Sequence, residues 1–117
     1  MVLGFNEAFI PAILAGTKVH TIREGLRWQT GDIAHFCART QQPDQYEFWK
    51  PRPLLAVQII ELTDSTLWVD GRQLAPAEAL ALANADGFAT AAELLAFFAN
   101  RPQPVRGQLL HWTALRY

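Results

Sequence analysis

The stretch from Leu54 to Leu74, LLAVQIIELTDSTLWVDGRQL, limits the possible folds more than any other part of the chain. LLAVQIIELT is dominated by apolar and β-branched residues and contains neither glycine nor proline, which predicts the strongest strand of the protein. TLWVDGRQL reads as a hairpin, because Asp70-Gly71 supplies the positive φ angles of a tight primed turn. Two further strands are expected upstream. KVHTIR alternates β-branched with polar residues, and IAHFCAR follows the Gly31-Asp32 turn. GQLLHWTALRY supplies a last strand.

Helices are expected around these strands. One covers about Glu7 to Leu14, with Asn6 as cap and Gly16 where a helix would stop. Pro11 is tolerated there only in the first turn. A second runs from about Pro76 to Asn84, with proline near its first position. A third begins after Thr90, where TAAE is a capping box: Thr90 caps and Glu93 reaches back. The expected order is helix, strands, two helices, strand. A compact α+β barrel flanked by helices would hide the strand edges. TQQPDQYEFWKPRP, between IAHFCAR and the principal strand, reads as a polar, proline-bearing loop.

The 117 residues suffice for one domain, spanning 1–117, and not for two separate cores. Half of them are hydrophobic and 18% charged, which excludes a disordered chain. No apolar run approaches the ~20 residues of a membrane-spanning helix. MVLGFNEAF lacks the basic start of a signal peptide. Cys37 is the only cysteine, so no internal disulfide forms, and a cytoplasmic setting is expected. The net charge of −1 argues against coating nucleic acid by bulk charge. Eight of the ten basic residues are arginine, which suits local bidentate recognition.

Few motifs for catalysis are present. His35 and Cys37 lie two apart on one strand, but no CxxC or HExxH spacing marks a metal site. Walker, G-x-G-x-x-G and G-x-S-x-G patterns are absent, so no nucleotide cofactor or serine-hydrolase elbow is indicated. The remaining candidate is LAGTKVHTIREG, residues 14–25, which holds one of only two lysines in the chain. In a strict strand Lys18 and Thr21 would point to opposite faces. A turn after Gly16 would let them converge. A threonine hydroxyl becomes a nucleophile when a base takes its proton, and a neutral lysine can be that base. Burial and a nearby cation such as Arg23 both favour the neutral amine. The alternative is a solvated edge strand on which Lys18 discourages pairing.

ILAGTKVHTIR followed by the Gly31-Asp32 turn resembles the opening signature of ASCH domains, a branch of the PUA-like superfamily. ADGFATAAELLAFF and GQLLHWTALRY resemble later parts of the same family, so the likeness spans nearly the whole chain. It implies a PUA-like small β-barrel with flanking helices and a cleft. Small single-domain members of the family are amidohydrolases that remove an acyl group from the exocyclic amine of cytidine, with no cofactor. Others resemble RNA-associated modules. By this resemblance Lys18 and Thr21 are the catalytic pair, acting with a carboxylate. The best match for the carboxylate is Asp86, where the family has glutamate; Glu78 and Glu93 are the alternatives. Asp86 would protonate the departing amine. Backbone N–H groups after Gly16, or Arg23, would hold the oxyanion. Trp28, Phe36, Trp68 and Trp112 are available to stack on the pyrimidine, with Trp28 the foremost because it follows the basic segment beside an expected loop. The partner implied is a small nucleoside, or RNA for a non-catalytic module.

Overall fold

The structure, a computed structural model, describes residues 1–117. The chain begins with a strand, β1 (Val2–Phe5), which the sequence reading did not anticipate. The expected first helix follows in two parts. A 3-10 turn, Glu7–Phe9, is capped by the Asn6 side chain, which accepts from Ala8 N at 2.9 Å. Helix α1 (Ile10–Ala15) continues it, with Pro11 in its first turn and Gly16 ending it at a φ of 82°. Next come β2 (His20–Glu24), β3 (Ile33–Ala38), β4 (Tyr46–Glu47), β5 (Arg52–Pro53) and β6 (Ala56–Leu62). The hairpin is β7 (Leu67–Val69) and β8 (Arg72–Gln73), with φ of 49° at Asp70 and 81° at Gly71, as the primed turn requires. Helices α2 (Pro76–Ala85) and α3 (Ala91–Phe97) precede the final strand, β9 (Val105–His111). Thr90 accepts from Glu93 N, and the Glu93 carboxylate accepts from Ala89 N.

The strands form two sheets. The larger has the order β2-β9-β6-β7-β8 and is antiparallel throughout. In the smaller, β3 pairs with β1 in parallel and with the short strands β4 and β5 antiparallel. The supposed polar loop therefore contributes two short strands.

The larger sheet is covered on both faces, as the burial of β9 makes clear. Leu109 belongs to a core shared with Leu82 and Ala83 of α2 and Leu94 of α3. Its neighbour Leu110 belongs to a second core with Leu3 of β1, Ile13 of α1 and Phe36 of β3. Consecutive strand residues point to opposite faces, so a central strand buried on both must be apolar without alternation. Each fully buried leucine contributes about 1.5–3 kcal/mol. No helix is long and apolar enough to cross a membrane.

Gly107 permits the closest backbone approach in the larger sheet. A Cβ placed there would lie 2.2 Å from Arg23 O on β2. Gly107→Ala is expected to force β2 and β9 apart and lower stability by about 3 kcal/mol, the upper part of the overpacking range. Urea unfolding checks this, and a change well under about 1 kcal/mol would contradict the close pairing.

Candidate functional site

Three backbone features carry Lys18 to Asp86. After Gly16 turns the chain, Thr17 N and Lys18 N both donate to Ala12 O, at 2.9 and 3.0 Å. Val19 N then donates to Ala85 O at 2.9 Å, tying this turn to the end of α2. Asp86 caps that helix end, and Gly87 turns the chain away with a φ of 99°. Lys18 thus lies before β2 begins, where strand alternation does not govern it. Lys18 and Thr21 line the same cleft, together with Asp86 and Arg23.

The cleft encloses about 180 Å³. Lys18 is 2% exposed, and its Nζ donates to Asp86 O at 2.5 Å and His20 O at 3.0 Å. Asp86 Oδ1 lies 3.5 Å from the same nitrogen. A cation at the C-terminal end of a helix also meets the favourable end of its dipole. These oxygens favour the ammonium. Burial opposes it more strongly, Arg23 adds repulsion, and Lys18 is held below its ordinary value.

Thr21 Oγ1 accepts from Arg23 Nη1 at 2.9 Å. Arg23 also donates to Ile22 O and, through Nη2, to Gly4 O, and its guanidinium lies 5.1 Å from the Phe5 ring centroid. The guanidinium is held in place on three sides and presents its charge to the threonine oxygen. Lys18 Nζ makes its hydrogen bonds to the two carbonyls and none to Thr21.

Of the three candidate carboxylates, only Asp86 lines the cleft. Glu78 is paired with Arg72 at 3.0 Å and accepts from Ala75 N, which makes it a helix-start residue. Glu93 reaches back to Ala89 N, one residue before the Thr90 cap, so only the Thr90 half of the expected capping box forms.

Trp28 and Phe36 do not line the cleft. Both are buried in the second core, at 3% and 0% exposure. Phe36 stacks behind Phe5 at 5.6 Å, and Trp28 is fastened by its backbone to the Gln108 side chain. The aromatic wall is instead Phe5, Phe9, Phe88, Phe97 and Phe98. Phe88 follows Asp86-Gly87 directly, so the ADGF turn carried a readable signal for it. Backbone N–H groups after Gly16 are already committed to Ala12 O and Ala85 O, which leaves Arg23 as the anion donor.

Behind the cleft, His20 Nδ1 lies 2.8 Å from Asp86 Oδ1, and His20 Nε2 lies 2.8 Å from the Tyr117 hydroxyl. His111 sits against this pair. Its Nε2 donates to Gln58 Oε1 at 2.9 Å, while Nδ1 is enclosed without a partner. Burial, then His20 and Arg116, push His111 down to about 3 from 6.5. Between these values the unfolded chain binds a proton that the folded protein refuses. Stability should therefore fall as pH drops from 6.5 toward 3, by up to about 1.4 kcal/mol per pH unit. His111→Gln keeps a donor for Gln58 and should flatten that slope in urea titrations at several pH values; an unchanged slope would rule His111 out as its source.

His35 is half exposed and faces Glu47, and Cys37 is buried. No three histidine, cysteine, aspartate or glutamate side chains converge as a metal-binding group. Fold and cleft together define a small α+β protein with a buried lysine, threonine and aspartate and a part-buried arginine at one site. No family model matches the chain, and no curated protein or solved structure matches it either.

Proposed function

We propose that this protein is a PUA-like, ASCH-type amidohydrolase that removes the acyl group from the exocyclic amine of an acylated cytosine nucleoside. The observation that carries the reading is the convergence of Lys18, Thr21 and Asp86 in one cleft, with Arg23 on the threonine oxygen. Two face-to-face sheets with flanking helices support the small-barrel reading.

Burial, which lowers the Lys18 pKa, favours the neutral amine, and in that form Lys18 takes the Thr21 proton as the oxygen attacks the acyl carbonyl. Arg23 lowers the energy of the forming alkoxide. Its Nη2 uses one hydrogen on Gly4 O, and the other is available to the oxyanion. The proton gained by Lys18 passes to the neighbouring Asp86 carboxyl, on the oxygen that Lys18 and His20 do not contact. Asp86 delivers it to the exocyclic nitrogen as the acyl–nitrogen bond breaks. Cytosine leaves with its amine restored, and the acyl group remains as an ester on Thr21. Lys18 then takes a proton from the water that attacks the ester and returns it to the Thr21 oxygen as the acyl–oxygen bond breaks, and the acid released gives up its own proton to solvent as the carboxylate.

The pyrimidine stacks against the Phe9, Phe88 and Phe97 wall. A polar groove of about 520 Å³ shares Gly4, Phe5 and Asn6 with the cleft and gives the sugar room. Of the three arginines an RNA-binding module would turn to phosphates, two favour a small substrate: Arg23 is bonded to Ile22 O and Gly4 O, and Arg39 is paired with Glu7 and Asp44, while Arg27 lies exposed over Trp28.

The test is incubation with acetylcytidine, followed by the ultraviolet change that accompanies conversion to cytidine. Turnover is expected. No turnover on any acylated cytosine nucleoside, together with RNA binding that weakens with salt, would identify a non-catalytic RNA-binding module instead.

A further inference from the structure

Asp86 is held from behind as well as from the cleft. His20 is wholly buried on β2, next to Thr21 and therefore on the opposite face of the strand. Its two ring nitrogens have different partners, a carboxylate oxygen and a phenol, each at 2.8 Å. A carboxylate can only accept, so Nδ1 carries a hydrogen, and a ring with a single hydrogen has it there. Nε2 is then an acceptor, and the Tyr117 hydroxyl donates to it. Burial, followed by the Asp86 charge, pushes the Tyr117 phenol up to about 12, so it keeps the proton this bond needs. The His20 ring is also fixed edge-on against His111 and Tyr117, with centroids at 5.3 and 5.5 Å.

Asp86 Oδ1 faces both His20 Nδ1 and Lys18 Nζ, while Oδ2 has no hydrogen-bond partner within the protein. The one side-chain nitrogen or oxygen that is enclosed without a partner is His111 Nδ1, so Oδ2 is open to the cleft. A proton on the carboxyl would therefore sit on Oδ2, because Oδ1 already meets N–H donors.

We propose that His20 is the positioning residue for Asp86: Nδ1–H holds Oδ1 and aims the free Oδ2 at the leaving nitrogen, while the Tyr117 hydroxyl fixes the ring tautomer. The catalytic consequence rests on the amidohydrolase reading; the tautomer does not. A wholly structural histidine would need neither a defined tautomer nor a particular carboxylate oxygen. Asparagine at this position would retain a donor near the place of Nδ1.

Nitrogen-15 NMR of the histidine side chains in the folded protein, with acetylcytidine kinetics on the same samples, tests this. In the wild type His20 should be the Nδ1–H tautomer, and Tyr117→Phe should weaken that preference and lower kcat several-fold. His20→Leu should lower kcat by about 10–100-fold, the range seen when an orienting partner is lost, with KM little changed. His20→Asn should recover most of that loss. A wild-type His20 carrying its proton on Nε2 would overturn the proposal, as would a folded His20→Leu with unchanged kcat. If His20→Leu does not fold, the wild-type tautomer and Tyr117→Phe decide. If the wild type does not turn over acetylcytidine, the functional reading fails, and the tautomer still decides whether His20 positions Asp86.

Discussion

If the proposed amidohydrolase reading holds, Thr21→Ala is expected to lower cytidine release by at least about 10³-fold, because it removes the oxygen assigned as nucleophile. The fold should survive. Thr21 is buried, but its hydroxyl makes one side-chain bond, from Arg23, and Arg23 keeps its bonds to Ile22 O and Gly4 O. Losing one such bond costs about 1 kcal/mol. Thr21→Ser restores the oxygen without the methyl group and should recover measurable turnover. Single-turnover kinetics with a thermal melt of each variant separates chemistry from folding. A Thr21→Ala protein with wild-type turnover would remove threonine from the mechanism.

Lys18→Met should fail in both activity and stability. In the proposed mechanism Lys18 carries the proton from Thr21 to Asp86, so turnover should fall by about 10²–10⁴-fold, the range for losing a general base. Asp86 would retain His20, but the buried Asp86 and His20 carbonyls would each lose the donor Lys18 supplies, at a cost of about 1–3 kcal/mol apiece. Urea unfolding of Lys18→Met should show that loss. The pH dependence has a definite sign. Lys18 binds its proton more weakly in the folded protein than in the unfolded chain. Its contribution to stability therefore rises as pH climbs from the lowered value toward the ordinary 10.5, and this rise should vanish in Lys18→Met. The basic form is the active one, so kcat should rise through the same lowered value.

Much of this site was legible in one short stretch. Gly16 gave the turn that frees Lys18 from strand alternation, and LAGTKVHTIR held both partners within four residues. Asn6, the Asp70-Gly71 pair and the Thr90 cap marked their elements because caps and primed turns are local chemistry. β1 was not legible in the same way. VLGF is four residues long, and its partner β3 runs parallel to it across an intervening helix and strand, so no adjacent turn announces the pairing. Trp28 and Phe36 were misplaced for a related reason. Aromatic character marks a residue for burial, but which of two covered sheet faces borders the cleft depends on how the sheets stack. The role of His20 depends on Tyr117, 97 positions away, and no local pattern connects them.

The most direct test is the mass of the protein quenched during turnover of acetylcytidine. A covalent route through Thr21 predicts one added acetyl group, mapped to the peptide containing Thr21, and none in Thr21→Ala. Turnover with no acetyl on the protein under conditions that slow ester hydrolysis, or an acetyl on Lys18 alone, would contradict threonine as the nucleophile.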